Sequence, residues 1–128
     1  MVDMVAPPDI EAMFVSYLTE VLDHPVATKF PYDDEHRTMV QVSTTGGDVT
    51  GRVVAYYRVL IECWAPSSVD ALELASRTQA HLMAWPEVRP DVYRVIPELP
   101  VSHHDVNRLE LARYQFLATV YTRMVPVE

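Results

Sequence analysis

The segment VVAYYRVLIECWAPSSVDALELASRTQAHLMAW, residues 53–85, decides the fold. In its first twelve residues the odd positions Val53, Ala55, Tyr57, Val59, Ile61 and Cys63 are all apolar. The even positions mix Arg58 and Glu62 with Val54, Tyr56, Leu60 and Trp64. Side chains alternate faces along a strand, so the odd set faces a core. The even set is more apolar than a solvated face requires, which points to contact with other proteins. Ala65-Pro66 then interrupts the strand, and Ser67 or Ser68 is placed to cap a helix, with Asp70 reinforcing its start. Val69, Leu72, Ala75, Leu82 and Met83 form the expected buried stripe of that helix. Glu73 and Arg77 make a favourable i,i+4 pair on its exposed side, and Pro86 is expected to end it.

On the N-terminal side, Ile10, Met13, Phe14, Tyr17, Leu18, Val21 and Leu22 recur at helical spacing and predict one amphipathic helix. Pro7 and Pro8 precede it, Asp9 and Glu11 put negative charge at its positive end, and Pro25 closes the segment. A short strand is expected within Val26–Phe30, then an acidic turn, then a strand over Arg37–Thr44. Gly46-Gly47-Asp48 suits a hairpin tip, which predicts a flexible connection over Thr44–Gly51. After Pro90, Asp91–Ile96 reads as a strand and Pro97–Asn107 as an irregular polar loop. Leu109–Met124 reads as a last long strand, with Tyr114, Phe116, Ala118 and Val120 alternating against Arg113, Gln115, Thr119 and Arg123. The expected architecture is α+β. It has a mostly antiparallel sheet of four to five strands, two helices on one face, and the order α-β-β-β-α-β-β.

A chain of 128 residues fits a single domain over 1–128, able to bury roughly two-thirds of its unfolded surface. One cysteine, Cys63, excludes an internal disulfide, and its inward position suggests a small core hydrophobe. No run approaches the roughly 20 apolar residues of a membrane span, and the first residues lack the pattern of a secretory signal, so synthesis in the cytoplasm is expected. The formal charge of −8 repels phosphate backbones and argues against a conventional nucleic-acid binder.

Two clusters invite a metal or ligand reading, Asp33-Asp34-Glu35-His36 and His103-His104-Asp105. Neither has a recognised ligand spacing, and adjacent residues rarely converge on one ion, so an acidic turn and a polar loop are the simpler assignments. Thr44-Thr45-Gly46-Gly47 lacks the Lys-Ser/Thr of a phosphate loop, and no serine lies in a nucleophile-elbow context. No catalytic, cofactor or metal site is assigned. The aromatic and cationic residues of the two long strands are the stronger candidates, because Tyr, Trp and Arg concentrate at interface hot spots. Val54, Tyr56, Arg58, Leu60, Trp64, Arg113, Tyr121 and Arg123 are therefore expected to form a subunit or partner contact.

The junction Glu62-Cys-Trp-Ala-Pro-Ser-Ser68 leading into Ala71-Leu-Glu-Leu-Ala75, and the closing Ala112-Arg-Tyr-Gln-Phe-Leu-Ala-Thr-Val-Tyr-Thr-Arg123, carry a family likeness. With the length, element order and opening helix, they resemble the tail terminator (tail completion) proteins of long-tailed, non-contractile bacteriophages. That resemblance implies a virion structural protein without chemistry or cofactor of its own. Its partners would be itself in a hexameric ring, the tail tube protein that the ring caps, and the head connector or stopper. DNA would pass through the ring as cargo, sliding past acidic walls, and no membrane is involved. Head-completion or stopper proteins share the size and layout and stand as the alternative within the virion. A small cytoplasmic ligand-binding domain using the acidic turn and His36, His103 and His104 is the alternative outside it. The Pro97–Asn107 loop has no counterpart in the resemblance.

Overall fold

The computed structural model describes residues 3–30, 37–105, 108 and 110–127. The chain is α+β. Its first helix, α1 (Ile10–Val21), follows a two-residue strand, β1 (Val5–Ala6). The carboxylate of Asp9 caps α1 by accepting from the Ala12 amide at 3.1 Å, which satisfies one of the unpaired N–H groups of its first turn. Ile10, Met13, Phe14 and Leu18 are buried, as the periodicity requires.

The main sheet contains β2 (Val26–Ala27), β3 (Met39–Thr50), β4 (Val54–Ala65), β5 (Val92–Pro97), β6 (Val101–Ser102) and β7 (Ala112–Arg123). Its order is β2-β3-β4-β7-β5, with β6 also on β7. All pairings are antiparallel except β2 with β3, which is parallel. A final strand, β8 (Val125–Pro126), pairs with β1 and brings the two ends of the described chain together. β2 lies within the strand expected over Val26–Phe30, whereas β6 forms through its pairing with β7 inside the segment expected as a loop and takes the sheet beyond the expected four to five strands.

The second helix, α2 (Ser68–Val88), joins β4 to β5, which run in the same direction on either side of β7. Parallel neighbours cannot be joined by a tight turn, and the crossover helix fills that need. Ser67 is its cap, accepting from the Asp70 amide at 3.1 Å. Pro86 does not end α2 as expected. The helix runs to Val88, and the Arg89 amide bonds the Trp85 carbonyl at 3.0 Å. Trp85 anchors that last turn, edge-on to Phe14 at 5.1 Å and stacked on Tyr17 at 4.9 Å.

Both helices pack into one core with Val40, Val42, Val59, Ile61, Cys63, Phe116, Ala118 and Val120. The odd positions of β4 thus face the helices, as the alternation predicts. The stripe expected for α2 is corrected. Its buried residues are Ala71, Leu74, Ala75, Thr78, Leu82 and Trp85, whereas Val69, Leu72 and Met83 are 75%, 41% and 60% exposed. Two apolar stripes coexist on this helix, and only one can face the sheet.

The hairpin tip is also corrected. Gly46, Gly47 and Asp48 lie inside β3, opposite Arg58, Tyr57 and Tyr56, and the turn falls at 51–53. Thr45 is bulged out between Thr44 and Gly46, and the Thr44 amide donates to Glu11 Oε2 of α1 at 2.8 Å. Gly47 is required by proximity. A Cβ there would lie 2.2 Å from the Tyr56 carbonyl oxygen, with φ at +153°. Gly51 has φ +81° and open space around it. Gly47→Ala should therefore cost about 1–3 kcal/mol through backbone displacement, and Gly51→Ala about 1 kcal/mol through its positive φ. Urea melts of the two variants test this, and midpoints unchanged from the unaltered protein would contradict it.

Candidate functional site

Directly opposed residues in an antiparallel pair share a face. The β4–β7 register places Val54 opposite Arg123, Tyr56 opposite Tyr121, Arg58 opposite Thr119, Leu60 opposite Leu117, Glu62 opposite Gln115 and Trp64 opposite Arg113. All eight residues expected at a contact therefore stand on one face of two adjoining strands. It is the face turned away from α1 and α2.

The face divides into two halves of different character. Near the α2 end, Trp64 is only 2% exposed, which corrects its place on the expected contact surface. It packs with Met39 and Leu111 in a small second core, edge-on to Phe30 at 4.9 Å. The Arg108 guanidinium lies 4.0 Å from the Phe30 ring centre and the Arg113 guanidinium 4.8 Å from that of Trp64. Arg113 is also largely enclosed. Its Nη1 donates to Glu62 Oε2 at 2.8 Å, its Nε donates to the His103 carbonyl at 3.0 Å, and its Nη2 lies 2.8 Å from His103 Nδ1. Such a planar, forked donor holds a carboxylate, a carbonyl and an aromatic face together. Trp64 and Arg113 hold the sheet to the segment that follows β6, so they are internal cement.

The far half remains on the surface. The Tyr56 and Tyr121 rings lie 5.7 Å apart, half-buried, with Val54 beside them. Arg58 and Arg123 are exposed, and Arg94 of β5 sits opposite Tyr121. Among the described residues none of these three guanidiniums has a carboxylate within ion-pairing distance. Between the halves lies a groove of ≈ 450 Å³ whose lining includes Thr45, Leu60, Glu98, Leu99, Val101 and Leu117, with Leu99 81% exposed. The sequence reading omitted Arg94, Ile96, Leu99, Val101 and Leu117. Leu117 shares the parity of Arg113 along β7 and was legible on that ground. Arg94, Ile96 and Val101 reach this face through pairing of β5 and β6 with β7, and Leu99 lies on the connection between those two strands, which no local pattern reveals.

The described histidines do not gather. His103 engages Arg113, His104 is exposed, and Asp33, Asp34, Glu35 and His36 lie outside the described residues. No group of three or more His, Cys, Asp or Glu is placed to hold a metal ion among the described residues. No protein-family model matches this sequence, and no curated protein matches it.

Cys63 faces the helices, fully enclosed, and burial pushes its thiol from 9.0 up to about 12 against the weaker opposing effect of the Thr78 hydroxyl. Folding raises this pKa. The associated stability is full below about pH 9, where both states are protonated, and is lost as pH rises towards about 12. Burial likewise raises Tyr17 and Tyr57, which add to the same alkaline loss. Cys63→Ala should flatten part of that fall in stability, and the native thiol should resist a soluble disulfide reagent until the protein unfolds. Rapid labelling of the folded protein would contradict this placement.

Removing the Arg113 side chain leaves Glu62 enclosed without its partner and uncovers Trp64. Arg113→Ala should destabilise the fold by about 3 kcal/mol and shift tryptophan emission to the red. A loss below about 1 kcal/mol, the range of surface ion pairs, would show that the network is peripheral.

Proposed function

We propose that this chain is a structural subunit that assembles with copies of itself into a ring at the end of a bacteriophage tail tube. There it ends tube polymerisation and joins the tail to the head connector, with DNA passing through the ring. The observation that carries this reading is the half of the sheet that no helix covers. A paired Tyr56–Tyr121 centre is rimmed by Arg58, Arg94 and Arg123 and runs into an apolar groove at Leu60 and Leu117. Aromatic and arginine residues around an apolar centre are the composition of a protein contact, and a monomer gains nothing from leaving them in water.

The likeness of the Glu62–Ala75 junction and of the last long strand to tail terminators supplies the kind of assembly. The net charge of −8 per chain suits a channel that DNA must traverse without sticking. A ring requires two different patches on each subunit, meeting around a rotation that closes.

Purified chain added to polymerising tail tube protein should stop elongation and leave a single ring on the tube end in electron micrographs. Particles made without it should carry overlong tubes. Tubes whose length ignores the protein, with no added density at their ends, would contradict the reading. Density confined to the head side of the joint would assign the subunit to head completion instead.

A further inference from the structure

The second patch can be located from α2. Its buried stripe already accounts for the core, yet Val69, Leu72, Ser76, Ala80, Met83 and Glu87 form another stripe on the opposite side, all of it exposed. These positions recur at spacings of three and four and so line one edge of the helix. From Val69 to Glu87 the stripe runs about 27 Å at 1.5 Å per residue. That is about the length of β4 from Val54 to Glu62 at 3.3 Å per residue. Asp70, Glu73 and Glu87 accompany the stripe against the single Arg77, so this side of α2 is acidic. The uncovered sheet face is basic in an acidic chain. Four of the chain's ten bases, Arg58, Arg94, Arg113 and Arg123, project there, against Asp48, Glu62 and Glu98. Glu62 is already matched by Arg113.

We infer that the outer stripe of α2 docks on the Tyr56–Tyr121 face of a second copy of this chain. Val69, Leu72 and Met83 lie against the tyrosines and the Leu60–Leu117 groove, and Glu73 and Glu87 reach Arg58, Arg94 or Arg123. The occupant follows from complementarity of charge, of apolar character and of length between two surfaces of one molecule. The surfaces lie on opposite sides of the domain, so the contact is head-to-tail and leaves one free patch at each end of any open chain. This assignment rests on the assembling-subunit reading above and goes further by naming both faces.

Two charge-reversed proteins test it, each altered only at exposed positions. One carries Arg58→Glu and Arg123→Glu, the other Glu73→Lys and Glu87→Lys. Sedimentation velocity over a concentration series should show self-association of the unaltered chain, weakened at least about tenfold in either variant by like charges across the contact. An equimolar mixture of the two variants should recover it, because every contact in an alternating assembly again pairs opposite charges. Leu72→Ser with Met83→Ser should weaken association without changing the thermal melt.

An unaltered chain that stays monomeric at every concentration, or variants that associate as it does, would overturn the inference. So would a mixture that fails to recover, or tight oligonucleotide binding by the unaltered chain that is lost with Arg58→Glu and Arg123→Glu. Electron microscopy separates this inference from the ring reading. Open filaments recovered by mixing support the contact and contradict the ring. Closed rings indifferent to both charge reversals overturn the contact and leave the ring reading standing.

Discussion

Twelve consecutive residue pairs between β4 and β7, from Val54–Arg123 to Ala65–Ala112 without a bulge, are the constraint on which the rest of the structure depends. A slip of one residue would turn every side chain of either strand to the opposite face. With the register fixed, Val59, Ile61, Phe116, Ala118 and Val120 are committed to the helices. Tyr56, Arg58, Tyr121 and Arg123 are committed to the other side. The crossover through α2 follows, because β5 must return beside β7 in the direction of β4. The bulge at Thr45 lets the partner strand follow that register while Glu11 takes the Thr44 amide. Core and candidate contact are thus two sides of one pairing.

Much of this was legible because the decisive signals are local. Alternation along 53–64, the apolar stripe of α1 and the serine before α2 each depend on residues within a few positions of one another. The failures share the opposite property. Gly46-Gly47 looks like a tip, yet Gly47 is there because the Tyr56 carbonyl of the neighbouring strand leaves no room for a Cβ. Trp64 has the parity of a surface residue and is buried because Phe30, Met39 and Leu111 arrive from elsewhere. The short strands β1, β6 and β8 exist only through their partners, whereas β2 lies within the strand expected over Val26–Phe30. For α2 the expected stripe mixed two apolar stripes: its Ala75 and Leu82 pack with Ala71, Leu74, Thr78 and Trp85, while its Val69, Leu72 and Met83 belong to the exposed one.

That error is informative about function. Val69, Leu72 and Met83 are apolar without being needed for the core, as are Leu99 and Val101 on the other side of the sheet. The arginines show the same division. Arg113 is consumed by Glu62, His103 and Trp64, whereas Arg58, Arg94 and Arg123 surround the tyrosine pair without a carboxylate at ion-pairing distance among the described residues. A domain with one acidic apolar stripe and one basic aromatic face, on opposite sides, has the means to contact its own kind head-to-tail.

The most direct measurement is oxidative side-chain footprinting of Tyr56, Tyr121, Leu72 and Met83, compared between dilute protein and the assembled state. All four should become protected together on assembly, while Val53 at the hairpin turn stays reactive. Assembly that leaves Tyr56, Tyr121 and Met83 as reactive as in dilute protein would contradict it.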